Sequence, residues 1–112
     1  MCVKRSEKNT MYRIKVEQPA KEDFNNIITY ITETLDAPVA ALSFMDEVEA
    51  CYVRIQGNPY LYESCREPRL RERGYRRAVI GNYIMVYKPL DEVKVVEVHR
   101  FFYGPQNYIE LI

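Results

Sequence analysis

The chain has 112 residues, with 16 lysines and arginines balanced by 16 aspartates and glutamates. That length supports one hydrophobic core but not two, and no apolar run approaches the length that crosses a bilayer, which argues against a helical membrane protein. The charge balance sets the chain apart from proteins that grip nucleic acid over their whole surface, which are markedly basic.

Residues 1–10, MCVKRSEKNT, are polar and mixed in charge, and they lack the apolar stretch of a secretory signal. They read as a flexible extension ahead of a single domain over residues 11–112. Met11 to Glu17 then alternates, with Tyr12, Ile14 and Val16 on one side and Arg13, Lys15 and Glu17 on the other, as a half-buried strand does. Pro19 ends it and suits the first turn of a helix. Glu22 and Asp23 complement the positive end of the helix dipole. Phe24, Ile27 or Ile28, Ile31 and Leu35 recur at helical spacing, which predicts an amphipathic helix from about Ala20 to Thr34.

Asp36-Ala37-Pro38 stops one helix and starts another, with Asp36 available as a cap and Pro38 suited to a first helical position. Ala41, Phe44, Val48, Cys51 and Ile55 form the apolar stripe of that second helix, which runs to about Arg54 and ends at Gln56-Gly57-Asn58-Pro59. The short connection predicts an antiparallel helical hairpin. Tyr60 to Gly74 reads as a loop. Arg76 to Ile80 reads as a strand, Gly81-Asn82 as a tight hairpin turn and Tyr83 to Lys88 as the next strand. Pro89 to Glu92 reads as a second turn and Val93 to Tyr103 as the longest strand, ended by Gly104-Pro105. Ile109, Leu111 and Ile112 give the tail enough apolar surface to dock. The order of elements, a strand, a helical hairpin and a three-strand antiparallel meander, predicts a two-layer α+β domain. The hairpin is expected on one sheet face, and Tyr75, Tyr83, Tyr87, His99 and Tyr103 on the other as a polar-aromatic surface.

The segment from Glu63 to Arg77 carries Arg66, Arg69, Arg71, Arg73, Arg76 and Arg77 against Glu63, Glu67 and Glu72, an excess of three positive charges. The rest of a neutral chain is therefore negative by three, so the arginines form a local patch on an acidic body. An arginine fork matches phosphate or carboxylate, and neighbouring tyrosines stack on bases; the competing reading is a solvated segment paired with its own glutamates. His99 is the sole histidine, and strand alternation places Glu97 and Phe101 on its face. A histidine without a spaced nucleophile or carboxylate motif is more often structural than catalytic. Tyr103 stands out among the ten tyrosines because it ends a strand beside a glycine. The cysteines Cys2, Cys51 and Cys65 are odd in number and widely spaced, which points to reduced thiols in a cytoplasmic protein rather than to disulfides or zinc. There is no glycine-rich phosphate loop and no metal-ligand spacing, so neither a cofactor nor a metal is expected.

Three runs carry a family resemblance. They are MYRIKVEQPAKEDF from Met11 to Phe24, GYRRAVIGNYIMVY from Gly74 to Tyr87, and VVEVHRFFYGPQN ending at Asn107. Together, in this order and spacing, they resemble the RelE/ParE superfamily of bacterial toxins from type II toxin–antitoxin modules, over residues 11–112. The resemblance implies a growth-inhibiting protein wrapped and neutralised by a cognate antitoxin, with operator DNA contacted only through that antitoxin and no membrane partner. Its target is DNA gyrase in the ParE-like branch. In the RelE-like branch the protein enters the ribosome and cuts mRNA; a third possibility is a binding domain without toxicity.

The chain departs from the ribonuclease pattern at informative places. Tyr103 and Pro105 stand where many members carry histidine and arginine, and Ile84 follows the strand tyrosine where that branch often has arginine. In the ribonuclease reading, Arg77 would hold the phosphate, Tyr103 would act as acid, and His99 is the remaining titratable candidate. In a binding reading, Arg69, Arg71, Arg73, Arg76, Arg77, Tyr83, Tyr87 and Arg100 would meet the target. A neutral chain also fits poorly with docking on ribosomal RNA, so the expectation leans to the ParE-like branch.

Overall fold

A computed structural model describes residues 11–104. The expectations for residues 1–10, including Cys2, and for Pro105 and the apolar tail fall outside the described residues. The first strand, β1 (Arg13–Val16), is followed by helix α1 (Gln18–Thr29), which continues as a wider π-helical turn over Tyr30–Thr34. Helix α2 (Pro38–Gly57) comes next, then a short helix α3 (Pro68–Glu72), and finally strands β2 (Arg76–Ile80), β3 (Tyr83–Leu90) and β4 (Val95–Tyr103). The expected α+β order of strand, helical hairpin and antiparallel meander is therefore borne out.

The four strands form one sheet in the order β1-β4-β3-β2. Strands β2, β3 and β4 pair antiparallel, while β1 pairs parallel with β4, Ile14 opposite Val96 and Val16 opposite Val98. A parallel neighbour needs a long crossover, and α1, α2 and the first two meander strands supply it. The α2 stripe is buried as its spacing predicts: Ala41, Phe44, Val48, Cys51 and Ile55 all lie in the core. These side chains, with Ile27 of α1 and Ile31 of the π-turn, meet Ala78, Ile80, Met85, Tyr87, Val96, Val98 and Phe101 on one sheet face. Leu35, expected on the α1 stripe, is exposed. The last turn of that helix is wider than an α-turn, with Leu35 N–H bonded to Tyr30 C=O at 3.0 Å, and this delays the stripe.

Several local expectations are corrected. Helix α1 begins at Gln18, so Glu22 and Asp23 lie beyond its first turn and do not serve its dipole. Asp36 does not cap α2, whose N-cap is Ala37; it takes a left-handed φ of 51° and closes the first helix instead. Strand β3 runs through Pro89 to Leu90, and the chain reverses over residues 91–94, with Lys94 at φ 56°. Gly81 opens the two-residue β2–β3 turn with φ 61°, the positive value a primed hairpin turn requires at that place.

The stretch expected to be a loop contains α3, whose Glu67 carboxylate accepts from Leu70 N–H at 3.0 Å. It buries Leu70 with Cys65, Ile84, Val86 and Phe102 on the sheet face opposite the hairpin. The sheet is thus covered partly on its second face as well.

Candidate functional site

The arginine segment wraps the β2 edge of the sheet. Cys65 N–H donates to Tyr75 C=O at 3.0 Å and Arg77 N–H to Glu63 C=O at 3.1 Å, so residues 63–65 extend the sheet for one short step. Much of the arginine chemistry holds this wrap in place. Arg71 donates to the carbonyls of Cys65 (3.1 Å) and Arg66 (2.8 Å). Arg76 donates to Tyr62 C=O at 2.9 Å and lies over the Tyr60 ring at 4.9 Å. Arg77 donates to the Glu63 carboxylate at 2.6 Å, with its side chain only 12% exposed. Its buried Nε has no partner among the described residues. Arg66 reaches the same Glu63 carboxylate at 3.5 Å.

Arg69 and Arg73, on and just after α3, are exposed together with Arg66 and Arg71. The reading of a segment bonded to its own residues holds for Arg66, Arg71, Arg76 and Arg77.

Arg100 is turned away from this surface. It donates through Nε and Nη2 to the Asp23 carboxylate at 2.6 and 3.0 Å, and Phe101 N–H joins at 3.1 Å. Asp23 thereby fills the β4 edge beyond the end of β1, where Glu17 N–H makes the last bond, to Val98 C=O.

The expected polar-aromatic face divides in two. Tyr75 and His99 do lie on the face that carries α3, edge to face at 4.9 Å, with Lys88 over the Tyr75 ring at 5.4 Å. His99 also meets Glu97 at 3.2 Å, as alternation predicts. Tyr87 is fully buried on the helix side and donates its hydroxyl to Pro59 C=O at 2.9 Å, which removes it from any target surface in this fold. Tyr83 packs edge-on against Phe44 of α2 at 5.2 Å, and Tyr103 against Tyr83 at 5.8 Å. Those two tyrosines are therefore also on the helix side.

The cause is a β-bulge. Val86 faces Arg100 while Tyr87 faces Val98, so His99 is an extra residue in β4. Beyond it the alternation changes phase. Val96 and Val98 enter the helix-side core before the bulge, and Phe101 enters it after. Phe101 accordingly does not share the face of His99.

Tyr83 and Tyr103 line an open groove of about 670 Å³ with Ile27, Tyr30, Leu35 and Asn82. The sequence reading missed Tyr30, Leu35 and Asn82 as groove residues. Only a tyrosine off the apolar stripe of α1 hinted at the first, and Tyr30 and Leu35 stand at the two ends of the π-turn.

Among thiols, burial pushes Cys65 up to about 11, so it stays protonated and is no nucleophile at neutral pH. No cluster of metal-ligating side chains occurs among the described residues, and no described helix is long and apolar enough to cross a membrane. Chemically, the site offers a cationic rim on α3, a titratable array at Tyr75, His99, Glu97 and Lys88, and an aromatic groove on the opposite face.

Comparison with known proteins adds a lineage. The sequence profile described as "ParE toxin of type II toxin-antitoxin system, parDE" matches residues 14–108. No curated protein sequence matches. Among solved structures, the chain is similar to one from the chromosomal ParDE TA system of P. aeruginosa, with a TM-score of 0.64 at 15% identity, covering 84% of this chain and 97% of that one. It is also similar to one from the toxin–antitoxin complex RelBE2 of Mycobacterium tuberculosis, with a TM-score of 0.59 at 18% identity, covering 83% and 98%. At these identities the likeness concerns the fold.

Proposed function

The chain belongs to the ParE toxin family of type II toxin–antitoxin systems, and from that premise we propose that it inhibits growth by binding and poisoning DNA gyrase. A cognate antitoxin neutralises it in the cytoplasm, and operator DNA is contacted through that antitoxin. The observation that carries the reading is the division of the would-be nuclease residues between the two faces of the sheet. Cleavage through a 2′-hydroxyl needs a base, an acid at the leaving oxygen and a cation on the phosphate, all around one phosphorus atom. Tyr103 packs on Tyr83 on the hairpin side, while His99 packs on Tyr75 on the α3 side. Arg77 has its guanidinium on Glu63 and its Nε buried. These positions favour recognition over proton transfer.

In this reading Arg69 and Arg73 are the primary target contacts. Arg71, Arg76 and Arg77 hold the segment that presents them, and Arg100 holds α1 to β4. Tyr83 contributes through the aromatic groove.

The test pairs two assays of the purified protein. In a gyrase supercoiling assay it is expected to trap cleaved DNA and stop supercoiling. In cell-free translation it is expected to leave labelled message intact. Message cut only when ribosomes are present, with gyrase unaffected, would replace this reading by the RelE-like one. No effect in either assay or on growth would point to a binding domain without toxicity.

A further inference from the structure

The groove of about 670 Å³ beside the π-turn is aromatic, and no unpaired charge lines it. Tyr30 and Leu35 come from the two ends of the π-turn, Asn82 and Tyr83 from the β2–β3 hairpin, and Tyr103 from the end of β4. Tyr30, Leu35 and Tyr103 are each about half exposed, which leaves three large apolar side chains around one cleft. The carboxylate in the lining, Asp23, is taken up by Arg100 and the Phe101 N–H. Burial, and then the neighbouring hydroxyls of Tyr30 and Tyr103, push the Tyr83 hydroxyl up, so it stays neutral. A cleft of this kind selects an apolar occupant with little charge.

The chain itself leaves at this cleft. Tyr103 lines it, and Gly104 N–H donates to the C=O of Asn82, another lining residue, at 2.8 Å. A Cβ at Gly104 would stand 3.2 Å from that oxygen, so the glycine lets the two backbones close up beside the groove. Pro105 has no N–H with which to carry the ladder further. Residues 105–112, PQNYIELI, bring Tyr108, Ile109, Leu111 and Ile112 with a single charged side chain, Glu110. Such a segment reaches at most about 26–29 Å, which is more than enough to cross a cleft of this volume.

We propose that residues 105–112 fold back and seat their apolar side chains in this groove, as the chain's own cover over Tyr30, Leu35, Tyr83 and Tyr103. The short tether presents the segment at an effective concentration of about millimolar, which a separate molecule must overcome to take its place. Tyr83 and Tyr103 become available to another molecule only when the tail leaves. Ile109, Leu111 and Ile112 lie beyond residues 14–108 that match the ParE profile, so the cover is a feature of this chain rather than of the profile. The inference does not depend on which target the toxin poisons.

The chain has no tryptophan, so Ile109→Trp gives the full chain a single emitter. Its fluorescence is expected to be blue-shifted. Acrylamide quenching is expected to be about threefold or more weaker than for a free tryptophan peptide, as burial of about 70–90% of a ligand's surface implies. Leu35→Lys adds a charge at an exposed position of the groove and is expected to return both to the free values. Val53→Lys, exposed on α2 and outside the groove lining, is expected to change neither. Circular dichroism checks that each variant is folded. A second arm needs no variant: in the unaltered chain with labelled isoleucine methyls, Ile109 and Ile112 are expected to show nuclear Overhauser contacts to the rings of Tyr30 and Tyr103. Solvent-like emission in the folded chain would overturn the proposal. So would a blue shift that Leu35→Lys leaves in place, a blue shift lost on dilution, which is docking on a second copy, or methyl contacts confined to other residues.

Discussion

Replacing Asp23 by alanine tests the tie between α1 and the end of β4. The carboxylate accepts three hydrogen bonds, from Arg100 Nε at 2.6 Å, Arg100 Nη2 at 3.0 Å and Phe101 N–H at 3.1 Å. The side chains are 15% exposed at Asp23 and 25% at Arg100, so water reaches the freed guanidinium only in part. Hydrogen bonds to charged groups contribute about 1.5–3 kcal/mol each when intact, and partial rehydration returns some of that. The expected loss is about 2–3 kcal/mol. In a domain of this size that corresponds to a fall in Tm of about 10–15 °C.

Had Asp23 acted through the dipole of α1, as its place in the sequence suggests, the loss would stay at about 0.3–1 kcal/mol and would not involve Arg100. Urea unfolding followed by circular dichroism at pH 7 separates the two. Asp23→Ala, Arg100→Ala and the double variant complete a cycle whose coupling is expected to be about 1–2 kcal/mol. Asp23→Asn, which keeps an acceptor for Phe101 N–H, is expected to lose about half as much as alanine. A loss below about 1 kcal/mol for alanine, or a coupling near zero, would refute the clamp.

Asp91 accepts from the hydroxyls of both Tyr60 and Tyr12, and these bonds hold its carboxyl below the usual 3.8. A depressed folded value means that the stabilisation is complete above that pH and is lost as pH falls through the folded value. Asp91→Asn is expected to remove this part of the acid limb of a stability–pH curve, and an unchanged limb would count against it. Tyr87→Phe keeps the buried ring but strips Pro59 C=O of its donor, and is expected to cost about 1–2 kcal/mol in urea unfolding; a neutral change would mean that another donor reaches that carbonyl. Arg69→Glu with Arg73→Glu reverses two exposed charges on the α3 rim, and growth inhibition is expected to fall by about tenfold or more while circular dichroism shows the fold retained. Retained toxicity in that variant would remove the rim from the target surface.

The amphipathic stripe of α2, the strand alternation of β1 and the Gly81-Asn82 hairpin were legible in the sequence. Each is set by contacts or dihedral limits within a few residues of one another, and the order of such elements suffices for the fold class. Which arginines are bonded within the fold was not legible. Arg77 finds Glu63 across 14 positions and Arg100 finds Asp23 across 77, and local spacing carries no record of such pairs. Nor was the division of His99 and Tyr103 between faces. Alternation along β4 puts them on one side, and only the pairing of β4 with β3 inserts the bulge that shifts the phase. The parallel seat of β1 beside β4 was likewise decided by tertiary packing, because a strand's own pattern shows that one face is buried but not which neighbour it joins. The sequence by itself determined the elements and the patch of positive charge. The tertiary packing decided which of those arginines are bonded within the fold, because Glu63 and the carbonyls of Tyr62, Cys65 and Arg66 come within their reach only once the segment wraps the β2 edge.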